Sequence, residues 1–187
     1  VEWLRPAPGG RYLDGTLGMG GHSLAILRMA GKEAELIGLD RDQEALALAR
    51  TRLAEFADRV HLFNLPFSRF EEALDEVGWD TVDGAVLDLG VSSMQLDVAE
   101  RGSSFVHDGP LDMRMNQKDS TTAADLLIRL SDKELERVFR EYGEERNSKR
   151  IVRTIRNAQG KHPITTTRHL EQLLSSAART SRASSIH

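Results

Sequence analysis

The chain has 187 residues, of which 40% are hydrophobic and 29% charged, a composition typical of one globular domain with room for a smaller insertion. It contains no cysteine, which excludes disulfides, thiolate metal ligands and cysteine nucleophiles and fits a reducing compartment. No apolar run approaches the roughly 20 residues that span a bilayer. We therefore expect a cytoplasmic protein with no signal peptide and no membrane partner. The chain begins at Val1, not at methionine, so we expect further sequence before it.

The net charge of −4 is unevenly distributed along the chain. Residues 1–145 carry 16 Lys and Arg against 28 Asp and Glu, whereas residues 146–187 carry nine against one. Such an asymmetry indicates that the basic part meets a polyanion, the alternative being a solvated helix face.

The first half of the chain alternates predicted strands with predicted helices. Strands are expected at 11–13, 36–39, 60–63 and 82–87. Helices are expected at 23–29, at 43–56, and from a Ser68–Glu71 capping box to about residue 77. This alternation predicts a Rossmann-like α/β domain with a parallel sheet and right-handed crossovers.

The second half follows a different pattern. Residues 90–120 show no convincing periodicity, and loops of that length are usually functional or disordered. From Thr121 onward the pattern is helical, with a capping box at Ser131 and Glu134 and a turn at 163–167. We therefore predict a cofactor-binding α/β domain at 1–115 and an inserted all-helical domain at 116–187. Because four strands leave an exposed sheet edge, we expect the last strands to lie in sequence beyond this chain.

A glycine-rich segment, Asp14-Gly-Thr-Leu-Gly-Met-Gly-Gly-His22, lies between the first predicted strand and helix. Glycines allow a sharp turn and a close approach to a ligand, and the helix start offers free N–H groups. Asp40 ends the second strand, 20 residues after Gly20, where a carboxylate can accept hydrogen bonds from both ribose hydroxyls of an adenosine. The two features together predict a cofactor that contains adenosine.

The charge of this segment favours one adenosine cofactor over another. A carboxylate at Asp14 opposes an anionic pyrophosphate but suits the cationic amino and sulfonium groups of S-adenosylmethionine. We therefore favour S-adenosylmethionine over a nicotinamide dinucleotide.

Phe67 follows the third strand, where it could pack on the adenine ring or in the core. Asp88 ends the fourth strand, so Asp14, Asp40 and Asp88 should meet in one cleft at the carboxyl edge of the sheet.

Six motifs distributed through most of the chain share one resemblance. They are DGTLGMGGHS (14–23), LDRDQEAL (39–46), DLGVSSMQLD (88–97), ERGSSF (100–105), DGPLDMRM (108–115) and YGEER (142–146). On these motifs the sequence resembles the bacterial ribosomal small-subunit methyltransferase H family, also called MraW. The resemblance implies methylation of the exocyclic N4 of a cytidine in the decoding region of 16S ribosomal RNA. It also implies a methyltransferase sheet interrupted by a helical domain.

The resemblance further implies which residues contact the cofactor. These are Gly20, Gly21, His22, Asp40, Phe67, Asp88 and Gln95. Alone, His22 would be a structural residue at a helix start and Gln95 a solvated loop residue. No metal ligands are assigned. The expected partner is 16S ribosomal RNA or the small ribosomal subunit, and no DNA partner is expected.

The chemistry of the implied reaction suggests roles for several side chains. The N4 lone pair of cytosine is delocalised into the ring, so the enzyme must hold N4 in line with the methyl group and accept its proton. Asp88 is the candidate acceptor, although its role could instead be limited to holding the cofactor.

The target base must leave its stack, and residues 90–120 are the expected lid over it. Phe105 could stack on the base or pack inside the loop. Arg101 and Arg114 could bind phosphate or pair with Asp97, Asp108 or Asp112.

A set of cations marks the start of the basic region. Arg146, Lys149, Arg150 and Arg153 follow the i, i+3, i+4, i+7 spacing of one helical face. We predict that this face contacts the RNA backbone. The alternatives are pairing with Glu141, Glu144 and Glu145, or solvation.

Three rival functions remain open from the sequence. One is a methyltransferase that acts on a small molecule or a protein, which would show no salt-sensitive affinity for RNA. Another is a non-catalytic module that binds cofactor or RNA without turnover. A nicotinamide oxidoreductase is disfavoured by Asp14.

Overall fold

The structure is a computed structural model that describes residues 1–104 and 106–183. It divides into two compact units, Val1–Gly90 and Val91–His187.

The first unit is built on a parallel four-stranded sheet. Its strands are β1 (Arg11–Asp14), β2 (Glu35–Leu39), β3 (Val60–Phe63) and β4 (Gly84–Val86), in the order β3-β2-β1-β4. The connecting helices are α1 (Gly21–Ala30), α2 (Gln43–Arg52) and α3 (Phe70–Val77). The strand order reverses at β1, and ligands of open α/β sheets bind outside the carboxyl ends of the strands at that point. The predicted Rossmann-like α/β class is confirmed.

Both faces of the two central strands are buried. Successive side chains of a strand point to opposite faces, so Tyr12 and Leu36 pack in one apolar cluster while Leu13 and Ile37 pack in another. α1 and α2 cover the first cluster, and Trp79 closes the second. Burial on both faces is the usual state of parallel strands connected by helices. It fixes the carboxyl ends of β1 and β2, to which the glycine loop and Asp40 are attached.

Three predicted elements of this unit differ from the structure. The helix predicted at 43–56 ends at Arg52 and is followed by a 3-10 segment at Ala54–Arg59. The fourth strand is shorter than the predicted 82–87. The capping box of Ser68 and Glu71 is wrong, because Pro66 already begins a 3-10 turn at Phe67–Arg69 and Ser68 lies inside it. α3 then starts after Arg69, whose side chain does not cap the helix but pairs with Glu72.

The second unit is helical. Its helices are α4 (Ser93–Asp97), α5 (Ala123–Arg129), α6 (Asp132–Arg137), α7 (Ser148–Gln159) and α8 (Thr167–Ala183), with a π-helical turn at Val138–Tyr142. Capping boxes begin α4, α5 and α6, and the one at Ser131 and Glu134 confirms the prediction. The core comprises Leu111, Leu127, Leu135, Ile151, Val152, Ile155, Ile164 and Ala177. No helix in the described part of the chain combines the length and hydropathy that crossing a membrane requires.

The segment predicted as a long loop belongs to this helical unit. Leu111 is buried in the helical core, and its N–H donates to Thr165 O at 2.8 Å. Pro110 forms an antiparallel bridge with Thr166, and Thr167 N–H donates to Gly109 O at 3.0 Å. The units therefore divide at Gly90, earlier than the boundary after residue 115 that the sequence suggested. The difference arises because this segment makes irregular backbone contacts that have no sequence period.

Candidate active site

The glycine loop between β1 and α1 is held from both sides by the neighbouring strands. Gly15 N–H donates to Val86 O at 3.0 Å, which extends the pairing of β1 with β4. Leu17 N–H donates to Leu39 O at 2.9 Å, and Gly18 N–H donates to an Asp40 carboxylate oxygen at 2.7 Å. Successive loop residues are thus bonded first to the end of β4 and then to the end of β2. This arrangement fixes the loop across the carboxyl edge of the sheet.

Glycine is favoured at two positions of the loop for different reasons. Gly20 is the N-cap of α1 and has a φ of 77°, in the left-handed region that favours glycine. At Gly15, an added Cβ would lie 2.4 Å from Leu87 Cδ2 and 3.1 Å from Phe67 Cβ. Phe67 and the end of β4 therefore both approach the loop closely. A side chain at Gly15 would force them away.

The Asp14 carboxylate is engaged within the protein itself. Asp14 is fully buried, and its carboxylate accepts hydrogen bonds from the Ser23 hydroxyl at 2.7 Å and Thr16 N–H at 3.2 Å. Burial raises the pKa of this carboxyl, against the lowering effect of those two bonds. The expectation that Asp14 contacts a cationic ligand directly is therefore corrected. Its role in the structure is to tie the end of β1 to α1.

Asp40 is held at the end of β2 with both carboxylate oxygens in use. One oxygen accepts from Gly18 N–H, and the other accepts from Asp42 N–H at 2.8 Å. The Asn64 side-chain amide, which the sequence reasoning missed, donates to Asp40 O at 2.9 Å. A carboxylate offers about four lone-pair directions, so Asp40 keeps the capacity to accept two hydroxyl groups in a fixed orientation. A polar residue directly after β3 was the signal for Asn64.

Asp88 is exposed just beyond β4. Its backbone N–H donates to Thr16 Oγ1 at 2.7 Å, whereas its carboxylate has no hydrogen-bond partner within the residues that the structure describes. Phe67 is 44% exposed and begins the turn after β3. Asp40, Asp88 and Phe67 thus adjoin consecutive parts of one loop. Asp40 and Asp88 both lie at the carboxyl edge as predicted, whereas their convergence with Asp14 on one ligand cleft remains a prediction.

The start of α1 contributes Gly21 and His22. Both lie in the first turn, whose N–H groups have no partner within their own helix. The His22 side chain is exposed. Backbone donors at a helix start suit an anionic group such as a carboxylate. The assignment of both residues to the cofactor remains a prediction.

Gln95, predicted to contact the cofactor, lies outside the first unit. Gln95 belongs to the helical unit, where its side-chain oxygen accepts Ser92 N–H at 3.1 Å in the capping box of α4. It is buried, unlike the solvated loop residue expected from its position alone. Its contact with the cofactor remains a prediction. Phe105 lies outside the described residues.

The arginines of the irregular segment are engaged within the segment itself. Arg114 makes two hydrogen bonds to the Asp112 carboxylate, at 2.6 and 2.8 Å, and these hold the pKa of Asp112 below its usual value. Arg101 is buried and donates to Met115 O at 2.8 Å. Of the two roles considered for Arg114, pairing with an aspartate is the one observed. The Arg101 side chain donates hydrogen bonds to backbone carbonyl groups of the same segment.

A cavity of about 460 Å³ lies in the helical unit beside α8. Its apolar walls include Leu96, Met113, Leu170 and Leu174, and Arg168 and His107 are among its charged or polar lining residues. No pattern in the sequence predicts this cavity, because its walls come from segments that are distant along the chain.

The cations of α7 form a separate surface. Lys149, Arg150 and Arg153 lie on the side of the helix opposite the buried Ile151 and Ile155. Arg146 precedes the N-cap of the helix, so the predicted four-residue face contains three helical residues. We refer to Lys149, Arg150 and Arg153 as the α7 cations.

The nearby acidic residues do not neutralise the α7 cations. Glu141 lies within 4.0 Å of Arg137 and 3.6 Å of Arg140, and the Glu145 carboxylate accepts Asn147 N–H at 2.8 Å. Across residues 1–104 and 106–183, the α7 cations take part in no ion pair. The same described residues contain no group of three or more histidines or acidic side chains that could hold a metal.

Comparison with known proteins identifies the family. A model described as the MraW methylase family matches residues 1–187. The ribosomal RNA small subunit methyltransferase H of Maridesulfovibrio salexigens is 57% identical, over 95% of this chain and 55% of its own length. The protein of the same name from Desulfovibrio desulfuricans is 55% identical, over 93% and 53%. The chain therefore spans about half the length of these curated relatives. Because the family model matches this chain from residue 1 to residue 187, the chain belongs to the MraW methylase family.

Proposed function

We propose that this chain carries the cofactor site of an S-adenosylmethionine-dependent methyltransferase that modifies the N4 amino group of a cytidine in 16S ribosomal RNA. The main support is the arrangement at the switch point of the sheet, where Asp40, Phe67 and Asp88 adjoin one glycine loop. Membership of the MraW methylase family and the names of the relatives agree with it. The activity is proposed for the whole protein, because this chain spans about half the length of the relatives.

The residues present fit the proposed cofactor. The Asp40 carboxylate is fixed by two backbone N–H groups and would accept the ribose hydroxyls. The exposed ring of Phe67 would pack on the adenine, and Gly20, Gly21 and His22 would hold the methionine part at the start of α1. S-adenosylmethionine supplies the electrophilic methyl group when bound.

Asp88 is the candidate proton acceptor. Its carboxylate is solvent-exposed, and no described protein donor occupies it. In this role it would accept a hydrogen bond from the N4 amino group, favour the pyramidal nitrogen that attacks, and take up a proton afterwards. Orientation of N4 would supply much of the rate, because a delocalised lone pair attacks only when it is held in line.

The helical unit is the proposed RNA-binding part. The α7 cations are not paired with the neighbouring acidic residues, so they can neutralise phosphates. The apolar cavity beside α8 is a place in this unit where an unstacked base would be shielded from water. We place the protein in the cytoplasm with 16S ribosomal RNA or the small ribosomal subunit as its partner.

Transfer of a radiolabelled methyl group tests this function most directly. The whole protein is incubated with labelled S-adenosylmethionine and with small ribosomal subunits, naked 16S ribosomal RNA, or ribosomal proteins alone. We expect ribonuclease-sensitive label that digests to N4-methylcytidine. Label in protein would support a protein methyltransferase, and cofactor binding without transfer to any substrate would support a non-catalytic module. For substitutions of Asp88, beyond the carboxyl end of β4, the matched control is Asp83→Ala, because Asp83 lies at the opposite, amino end of the same strand.

A further inference from the structure

We infer that Thr16 is a positioning residue for Asp88: its hydroxyl holds the chain after β4 against the glycine loop. The inference rests on the proposed function, since it gives Thr16 a role in methyl transfer through Asp88. Thr16 was not among the candidate residues derived from the sequence. Its link to Asp88 joins residues 72 positions apart, which no local pattern could indicate.

The bond to Thr16 lies beyond the last pairing of the sheet. Paired register between β1 and β4 ends with Asp14 opposite Val86, followed by the bond from Gly15 N–H to Val86 O. The next tether along the chain is Asp88 N–H to Thr16 Oγ1 at 2.7 Å. The side chains on either side of Asp88 give little further support, because Leu87 is 53% and Leu89 69% exposed. The hydroxyl therefore largely determines where the Asp88 backbone lies.

Thr16 is itself anchored to a buried group. Its N–H donates to Asp14, whose carboxylate also accepts the Ser23 hydroxyl from α1. The side chain of threonine is stiff about χ1 because it is branched at Cβ. A connected set of bonds therefore runs from α1 through Asp14 and Thr16 to Asp88. These bonds hold the Asp88 backbone, and with it the base of the carboxylate side chain, in a defined position relative to the loop that is proposed to hold the cofactor.

A pair of substitutions separates the hydroxyl from the shape of the side chain. Thr16→Val keeps the branched shape and removes the acceptor, whereas Thr16→Ser keeps the acceptor. Amide hydrogen exchange at Asp88, resolved by NMR in the whole protein, is measured first. We expect faster exchange in Thr16→Val and protection close to the parent in Thr16→Ser. Equal protection in parent and Thr16→Val would overturn the inference, and this readout does not depend on methyl transfer.

The second measurement is the single-turnover rate of methyl transfer at saturating S-adenosylmethionine. Misplacing a catalytic group by about 1 Å can cost about 10²-fold, so we expect Thr16→Val to slow the step by about 10- to 100-fold. The Kd for S-adenosylhomocysteine, measured by calorimetry, should change much less. Thr16→Ser should restore most of the rate. An unchanged rate in Thr16→Val would refute positioning.

A double-mutant cycle tests whether Thr16 acts through Asp88. In an Asp88→Ala background the Thr16→Val substitution should have almost no further effect on the rate, because the carboxylate that it positions is gone. Independent, additive losses would show that Thr16 acts elsewhere and would overturn the inference. If Thr16→Val does not fold, as judged by circular dichroism, Thr16→Ala replaces it in all three measurements. A parent that binds cofactor but transfers no methyl group would count against the proposed function, while exchange at Asp88 would still decide the tether.

Discussion

The glycine loop and the α7 cations show two ways in which a protein presents charge. At the loop, Asp40 is surrounded by backbone donors of its own fold, so its orientation is fixed before any ligand arrives. On α7, the cations project from a helix whose acidic neighbours are engaged with other groups. The first arrangement suits a small ligand, for which a displaced hydrogen bond is costly. The second suits a polyanion, for which uncompensated charge attracts at long range.

The comparison extends to the residues that support each region. The carboxyl edge of the sheet depends on the two central strands, whose burial on both faces restricts the position of their ends. The α7 cations depend only on an amphipathic helix with Ile151 and Ile155 facing the core. Substitutions at the loop should therefore have large and specific effects. Substitutions on α7 should have small, nearly additive ones.

Asp88 gives the largest expected effect and tests the loop as a catalytic site. Asp88→Ala should lower the single-turnover rate by about 10²–10⁴-fold, the usual contribution of a general base, and change the cofactor Kd much less. Asp88→Asn keeps an acceptor oxygen but cannot take up a proton at neutral pH. It should therefore be as slow as Asp88→Ala if proton uptake matters. An undiminished rate in both variants would remove Asp88 from the chemistry.

Asp40 gives the next largest effect and tests the loop as a binding site. Loss of hydrogen bonds to a charged acceptor costs about 1.5–3 kcal/mol, so Asp40→Ala should weaken binding of S-adenosylhomocysteine by about 10- to 100-fold in calorimetry. Asp83→Ala, at the amino end of the sheet, is the matched control and should leave the Kd unchanged. If the two variants bind equally well, Asp40 does not hold the ribose.

These two predictions also show what the sequence could specify. The alternation of strands and helices predicted the fold class, and the ends of the second and fourth strands correctly located Asp40 and Asp88 beside the glycine loop. The burial of Asp14 could not be predicted, since it depends on a bond to Ser23 that forms only when α1 packs on the sheet. Thr16 was missed for a similar reason, because its partner is distant in the chain.

The helical unit shows the same limit. Its capping box at Ser131 is a local pattern and was predicted, whereas the attachment of residues 90–120 was not. Backbone bonds such as Leu111 N–H to Thr165 O leave no periodic trace in the sequence.

The ion pair of Asp112 and Arg114 is an example of charges that we expect to stabilise the fold and not to bind a ligand. Asp112→Asn removes a partly buried ion pair and should lower the free energy of unfolding at pH 7 by about 1–2 kcal/mol. The pKa of Asp112 is held below 3.8 by Arg114 in the folded state, so this stabilisation is present above that value and lost as the pH falls through the folded pKa. The difference in urea unfolding between parent and variant should therefore be full above about pH 4 and vanish only as the pH falls through the lower folded pKa. The exposed Asp97→Asn is the control, and a difference between parent and Asp112→Asn that persists at low pH would contradict the ion pair as its cause.

The smallest expected effect concerns single α7 cations and is the sharpest test of the comparison. If each of Lys149, Arg150 and Arg153 neutralises one phosphate, each glutamine substitution removes one released counterion. The logarithmic salt slope of RNA affinity should then fall by about 0.7–0.9 per substitution, which over a fourfold change in salt is only about a threefold change in affinity. The losses should add in the triple variant, and preference among RNA sequences should hardly change, because phosphate contacts position without specifying. Lys133→Gln, an exposed cation on α6, is the matched control and should keep the parent slope. A triple variant with the slope of Lys133→Gln would show that the α7 cations are merely solvated. The glycine loop would then be the only one of the two regions with a proposed ligand.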